Sequence, residues 1–155
     1  MAHFAKIGMN GLVIDIVEVN DDICLDSENN HNEELGAKHL EDITYWPSQM
    51  WKETKEDGSI RKNFATIGGK YDDERDAFID KKIHSAWVLD ESTCRYKAPV
   101  TPPSGANLKY TKDGEEKNYK IVWDNTNEKF VGERLADDPI TLWDWNPDTS
   151  SWNAQ

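Results

Sequence analysis

The sequence predicts a mainly β protein of the α+β class, with an N-terminal hairpin, one short helix and then a series of aromatic-clasped β-hairpins. Three observations support this: an Asn-Gly pair between strand-like segments, one stretch of helical periodicity, and a repeated spacing of aromatic residues around Asp or Asn. The chain has 155 residues, which is the length of one ordinary domain.

The first predicted element is a hairpin near the N-terminus. Asn10-Gly11 precedes the segment LVIDIVEV, and Asn-Gly is the strongest short-range signal for a two-residue hairpin turn. We therefore expect paired strands at residues 3–9 and 12–19. Asp57-Gly58 predicts a second hairpin further along the chain.

The only helix is expected at about residues 32–43, where Asn32 and two early glutamates favour a helix N-terminus. Pro47 prevents the helix from continuing, and Trp46 and Trp51 are expected to pin the following loop to the core. The predicted apolar side of the helix consists of Leu35, His39, Leu40 and Ile43.

One pattern recurs in YDDERDAF (71–78), LDESTCRY (89–96), WDNTNEKF (123–130) and WNPDTSSW (145–152). Each stretch opens with a large apolar residue, continues with Asp or Asn, and closes with an aromatic residue seven positions later. Residues at this spacing face each other across an antiparallel pair that is closed by a four-residue turn. The predicted turn formers are Asp72, Asp90, Asp124 and Asn146.

A Pro-rich connector, APVTPPSG, occupies residues 98–105. It separates a β-rich body with one helix (1–97) from a C-terminal part (98–155), which consists of the connector and a β-hairpin appendage. The two parts can also pack as one domain.

The composition excludes several classes of partner. Thirty acidic and 18 basic residues give a net charge of −12, and the mean hydropathy is −0.83. Such a surface repels phosphates and anionic lipids, so neither nucleic acid nor a membrane is expected as a partner. Cys24 and Cys94 have no metal-ligand spacing and are expected to be buried reduced thiols, with one disulfide between them as the alternative.

The sequence carries no recognisable enzyme motif. It has no phosphate-binding glycine loop, HExxH or GxSxG, and its four histidines lack ligand spacing. DDERD (72–76) and DNTNE (124–128) have the composition of calcium turns, but neither fits the EF-hand pattern. We therefore predict a non-enzymatic protein without a cofactor or metal.

The candidate partner-binding residues are large aromatic side chains, which are enriched at protein interfaces. They are Trp87, Tyr96, Trp123, Phe130, Trp143, Trp145 and Trp152. Two alternatives remain open for the last three of them. They can form the core of the chain itself, or they can form a solvated platform for sugar rings.

Several of these stretches resemble a family of short virion structural proteins from marine tailed bacteriophages, the cyanophages and their relatives. The matching motifs are R-x-N-F-A-x-I-G at Arg61 to Gly68, the hairpin from Tyr71 to Phe78, Ser85 to Thr93 with Ala86 inserted before Trp87, and the hairpin from Trp123 to Phe130. The resemblance covers about residues 1–131, and residues 132–155 extend beyond the usual end of the family.

The resemblance implies a place, the virion, rather than a chemistry. We expect a capsid, neck or tail component, made in the host cytoplasm, that binds other virion proteins and, as a further candidate, a second copy of itself. The main alternative is a receptor- or glycan-binding module at a tail or fibre tip, with a host-surface glycan as its partner. A third alternative is an intracellular regulator of the host.

Overall fold

The computed structural model describes all residues from Met1 to Gln155. It confirms the predicted class, because the chain consists of thirteen short strands, one α-helix and several 3-10 turns. The chain divides into two compact units. The first comprises Met1–Lys82 and Leu89–Tyr96, and the second comprises Ile83–Val88 and Lys97–Gln155.

The main sheet of the first unit has three antiparallel strands in the order β2-β1-β3. They are β1 (Ala2–Ile7), β2 (Val13–Val19) and β3 (Trp51–Thr54). The predicted N-terminal hairpin is confirmed, since β1 pairs with β2. Its connection is longer than the predicted two-residue turn, because a 3-10 turn at Met9–Gly11 lies within it.

The predicted helix is also confirmed, as α1 (Glu33–Thr44), with the side chain of Asn32 accepting a hydrogen bond from the backbone N–H of Glu34. Its predicted apolar side is correct only for Leu40. The helix buries Gly36, Ala37 and Leu40, whereas Ile43 is 60% exposed. No helix of the chain has the length and hydropathy of a membrane span.

Gly36 explains why this side of the helix is buried. A Cβ atom on Gly36 would lie 2.5 Å from Cζ of Phe4 and 2.8 Å from Sγ of Cys24. The missing side chain therefore lets the helix approach β1 closely, so the buried side is set by the closest backbone approach and not by the largest apolar residues.

Both faces of β1 are buried. Phe4 packs in one cluster with Leu40 and Trp51, whereas Ala5 packs in a second cluster with Tyr71 and Phe78. Neighbouring strand residues point to opposite faces, so the sheet is the centre of this unit. The two tryptophans of the loop after α1 pin it as predicted, because the Trp46 indole N–H donates to the carbonyl of Ile7, and that of Trp51 donates to the carbonyl of Trp46.

Two small hairpins complete the first unit: β4 (Lys70–Asp72) with β5 (Ala77–Ile79), and β6 (Val88–Asp90) with β7 (Arg95–Lys97). Of the second hairpin, Leu89–Tyr96 belongs to this unit. The hairpin predicted at Asp57-Gly58 is wrong, because no strand follows that turn. Cys24 and Cys94 are buried free thiols, as predicted.

Residues 61–65, which follow the Asp57-Gly58 turn, do not form a strand. Their side chains instead bond to several elements of this unit. The guanidinium of Arg61 donates to the Asp76 carboxylate (2.9 Å) and to the carbonyl of Glu53 (2.9 Å), and it also bonds to Glu33. The buried amide of Asn63 donates to the carbonyls of Phe78 (2.9 Å), Thr93 (2.9 Å) and Cys94 (3.3 Å). The R-x-N part of the motif therefore joins both hairpins to the body.

The second unit contains a four-stranded antiparallel sheet in sequence order and a separate hairpin. The sheet consists of β10 (Lys120–Asp124), β11 (Lys129–Arg134), β12 (Thr141–Asn146) and β13 (Ser151–Ala154). The hairpin pairs β8 (Lys109–Lys112) with β9 (Glu115–Asn118). We did not predict it, although Asp113-Gly114 carries the Asp-Gly turn signal and has φ angles of 52° and 81°.

Candidate functional site: the aromatic hairpins

The registers expected from the sequence pattern are present. Tyr71 lies opposite Phe78, Trp123 opposite Phe130, and Trp145 opposite Trp152. The ring centroids of these three pairs are 5.4, 4.9 and 5.2 Å apart, which is contact distance for aromatic side chains. In the remaining stretch (89–96), Leu89 and Tyr96 both pack against the buried cluster around Cys94.

The four turns are built in the same way. The second residue of each stretch accepts hydrogen bonds from backbone N–H groups of the turn, and the sixth residue has a positive φ angle between 44° and 52°. The sixth residues are Asp76, Cys94, Glu128 and Ser150. Asp72, Asp90, Asp124 and Asn146 are therefore turn formers, as predicted.

These hydrogen bonds also stabilise the ionised form of two of the turn carboxylates. The backbone N–H of Arg75 lowers the pKa of Asp72, and the side-chain amide and backbone N–H of Asn127 lower that of Asp124. No group of three or more His, Cys, Asp or Glu side chains is arranged to hold a metal ion.

In the second unit, the four-stranded sheet has one strongly aromatic face. Directly paired residues share a face, so the registers place five of the seven candidate residues together. They are Trp123, Phe130, Trp143, Trp145 and Trp152. Gly132 leaves room on this face, because a Cβ atom there would lie 2.8 Å from Cδ1 of Tyr119 and 2.9 Å from Cη2 of Trp152.

Trp145 and Trp152 belong to the core of the second unit. Trp145 is only 5% exposed, and Trp152 stacks on Tyr119 at a centroid distance of 4.6 Å. Their indole N–H groups donate to the carbonyls of Thr101 (2.8 Å) and Asn107 (2.7 Å). Trp145 therefore fastens the Pro-rich connector to the sheet, and Trp152 fastens the 3-10 turn Gly105–Leu108 that follows it. Trp145 is not accessible to a partner.

Trp87, Trp123 and Phe130 form a second aromatic group within the same unit. The ring of Trp87 meets that of Trp123 edge-on at 6.3 Å, and Trp123 contacts Phe130 in the same way. The side chain of Asn125 donates to the Ser85 hydroxyl (2.8 Å) and so holds the segment 83–88 against the β10–β11 turn. Trp87 and Trp123 are half-buried.

Trp143 lies on the aromatic face between Gly132 and Ala154, and it is half-buried. The guanidinium of Arg134 lies 3.8 Å from the centre of its ring, which is a close cation–π contact. Its indole N–H donates to the Thr141 hydroxyl (3.0 Å). One ring face of Trp143 is therefore occupied by the chain itself.

Tyr96 is the only candidate residue in the first unit. It is half-buried against Ala77, Ile79 and Cys94, and the ammonium of Lys82 lies 5.5 Å from its ring centre. Tyr96 therefore belongs to the packing of the first unit.

The most exposed apolar side chains are not among the candidate residues predicted from the sequence. Tyr45 is 91% exposed, Met9 86% and Ile83 73%. A signal was present only for Tyr45, which stands between the end of α1 and Pro47, where a residue must leave the helix. Ile83 begins the segment 83–88, which carries Trp87.

Comparison with known proteins gave no match: neither a family model, nor a curated protein, nor a solved structure resembles this chain closely enough to be significant.

Proposed function

We propose that this chain is a non-enzymatic structural protein of a bacteriophage particle, in the capsid, neck or tail, and that it binds other virion proteins through its aromatic hairpins. The observation that carries the proposal is the fixed position and partial exposure of the side chains of Trp87, Trp123 and Trp143. All three are held in fixed positions by their own chain, and all three remain partly exposed on the second unit.

Aromatic side chains held in this way suit protein recognition. Their conformational entropy is already lost on folding, so a partner that covers them gains apolar burial with little further ordering. Exposed Ile83 and Val88 flank Trp87 in the chain and add apolar area to this surface. The acidic surface keeps the free subunit soluble before assembly.

The resemblance of residues 1–131 to virion proteins of marine tailed phages suggests the particle as the location. Two residues of the matching motifs, Arg61 and Asn63, join the hairpins of the first unit to its body through hydrogen bonds. The proposed sequence of events is synthesis in the host cytoplasm followed by incorporation into the virion.

A glycan-binding role at a tail or fibre tip has less support. Stacking on sugars requires open aromatic faces, but all seven tryptophans are buried or half-buried. Arg134 covers one face of Trp143, and Trp145 is inaccessible. An intracellular regulator remains a weaker alternative without a specific supporting contact.

The test compares incorporation of variants into particles in a host that supplies the protein from a plasmid, with the phage gene deleted. We expect Trp143→Ser to reduce incorporation, because it removes a partly exposed aromatic ring from the second unit. Tyr45→Ser is the matched control, since Tyr45 is more exposed but lies in the first unit. Equal incorporation of both variants and the wild type would contradict the assigned surface.

A further inference from the structure

The last strand of the second unit has an open edge. β13 pairs with β12 on one side, and the N–H of Gln155 donates to the carbonyl of Leu142 (3.1 Å). In an antiparallel pair, the backbone groups of successive residues point alternately toward the partner strand and away from it. Because Gln155 bonds to β12, the backbone groups of Asn153 and Ser151 also point toward β12. The backbone N–H and C=O groups of Trp152 and Ala154 then point outward, and no hydrogen bond within the chain reaches them.

The sheet of the first unit is protected at both edges. On β3, the backbone N–H of Glu53 donates to the Glu33 carboxylate (2.8 Å), and its carbonyl accepts from Arg61 (2.9 Å). On β2, Val13 exchanges two backbone bonds of 2.9 Å with residues 68–69. Native proteins commonly cover edges in this way to prevent pairing with other chains.

The edge of β13 has none of these protections. Residues 151–155 read SWNAQ, without a charged side chain, a proline or a bulge. The chain carries a net charge of −12, so two copies repel each other over most of their surfaces. Because the side chains of this strand carry no charge, two copies can pair here without placing like-charged side chains of the two strands opposite each other.

We propose that β13 pairs antiparallel with β13 of a second copy of this chain, about a twofold axis at Asn153. The outward backbone N–H and C=O groups of Trp152 in each copy then bond to those of Ala154 in the other copy. Each of these two residue pairs exchanges two hydrogen bonds, which gives four in total. The two four-stranded sheets become one continuous sheet. A twofold axis makes this interface self-complementary and closed.

The side chains fit this register. On the aromatic face, each Trp152 lies opposite Ala154 of the other copy, so a large side chain meets a small one. On the other face, the two Asn153 amides meet at the axis and can bond to each other. Ser151 lies opposite Gln155 of the other copy, and no like charges oppose each other in the pair.

Sedimentation velocity of the full chain from about 1 µM to about 1 mM tests the pairing over a roughly thousandfold range of dissociation constants. We expect a concentration-dependent dimer. Ala154→Pro removes an outward N–H but no bond to β12, so it should weaken dimerisation at least about tenfold. Thermal unfolding at a concentration where both proteins are monomeric should stay unchanged. Thr126→Lys, in the exposed β10–β11 turn, should leave the dimer intact.

A cross-linking variant gives an independent readout. Asn153→Cys places two thiols at the axis as a non-hydrogen-bonded pair, whose Cα separation of about 4.5 Å permits a disulfide. We expect a covalent dimer on mild oxidation, and none with Thr126→Cys. A protein that stays monomeric throughout the concentration range, or a dimer that Ala154→Pro does not weaken, would overturn the pairing.

Pairing of two copies of this chain rests on the proposed virion role only for its biological setting. The two can fail separately. A monomeric protein that is still found in particles would remove the pairing and leave the virion role. A dimer that is absent from particles would remove the virion role and leave the pairing.

Discussion

Trp145 and Trp152 face each other across β12 and β13, with ring centroids 5.2 Å apart and both indole N–H groups bonded to carbonyls of residues 101 and 107. The two tryptophans therefore join the last hairpin to the Pro-rich connector and to the 3-10 turn Gly105–Leu108 after it. Of these two, Trp145 is the more deeply buried.

Trp145→Ala should lower the free energy of unfolding by about 3–5 kcal/mol, because it removes a buried indole and a hydrogen bond to the connector. Urea denaturation followed by circular dichroism measures the change. Tyr45→Ala is the control, since Tyr45 is 91% exposed and its replacement should change stability by less than about 0.5 kcal/mol. Equal stability of both variants would mean that Trp145 is not a core residue.

Gly36→Ala should destabilise the protein although alanine is the better helix former. Propensity alone predicts a gain of about 1 kcal/mol. The new Cβ atom would lie 2.5 Å from Cζ of Phe4, and overpacking of this kind costs about 1–3 kcal/mol. Ile43→Ala on the exposed side of the same helix should have a small effect. A more stable Gly36→Ala protein would show that α1 does not pack on β1 in this way.

Asn63→Asp should be more damaging than the same change at an exposed asparagine such as Asn118. The Asn63 amide donates to three carbonyl oxygens, and a carboxylate in its place would face those oxygens without a proton to donate. We expect a loss of at least about 1–3 kcal/mol for Asn63→Asp. The loss is measured by thermal unfolding at neutral pH, and unchanged stability would contradict the role assigned to the motif.

Alkaline pH should destabilise the protein through Tyr71. Burial and the hydrogen bond to Asp76 raise the pKa of Tyr71 to about 12. The folded state therefore keeps this proton when the unfolded state has lost it, so stability is full below about pH 10 and falls as the pH rises toward 12. Chemical denaturation between these values should show the decline, and Tyr71→Phe should reduce its slope. An equal slope in both proteins would exclude Tyr71 as the cause.

The hairpins were the most predictable part of the fold. A large apolar residue, Asp or Asn after it, and an aromatic residue seven positions later determine the turn length, the register and the residue that caps the turn. These are local features, so the sequence alone carries them. The same kind of local reasoning applied to Asp113-Gly114 would have found the β8–β9 hairpin.

Features that depend on distant contacts were not predictable. Asp57-Gly58 has a good turn signal, but the residues after it are engaged by Glu33, Glu53 and Asp76 through Arg61. The burial of Trp145 depends on the connector at Thr101, and that of Trp87 on the hairpin at Trp123. No periodicity in the sequence reports such pairings.

Quantitative mass spectrometry of purified particles tests the central claim most directly, by comparing the copy number of this protein with that of the major capsid protein. A virion structural role predicts a fixed stoichiometry that matches a symmetry number of the shell or the tail, and that persists through repeated purification. Absence from clean particles, while the protein is abundant in infected cells, would contradict the account and favour the intracellular alternative.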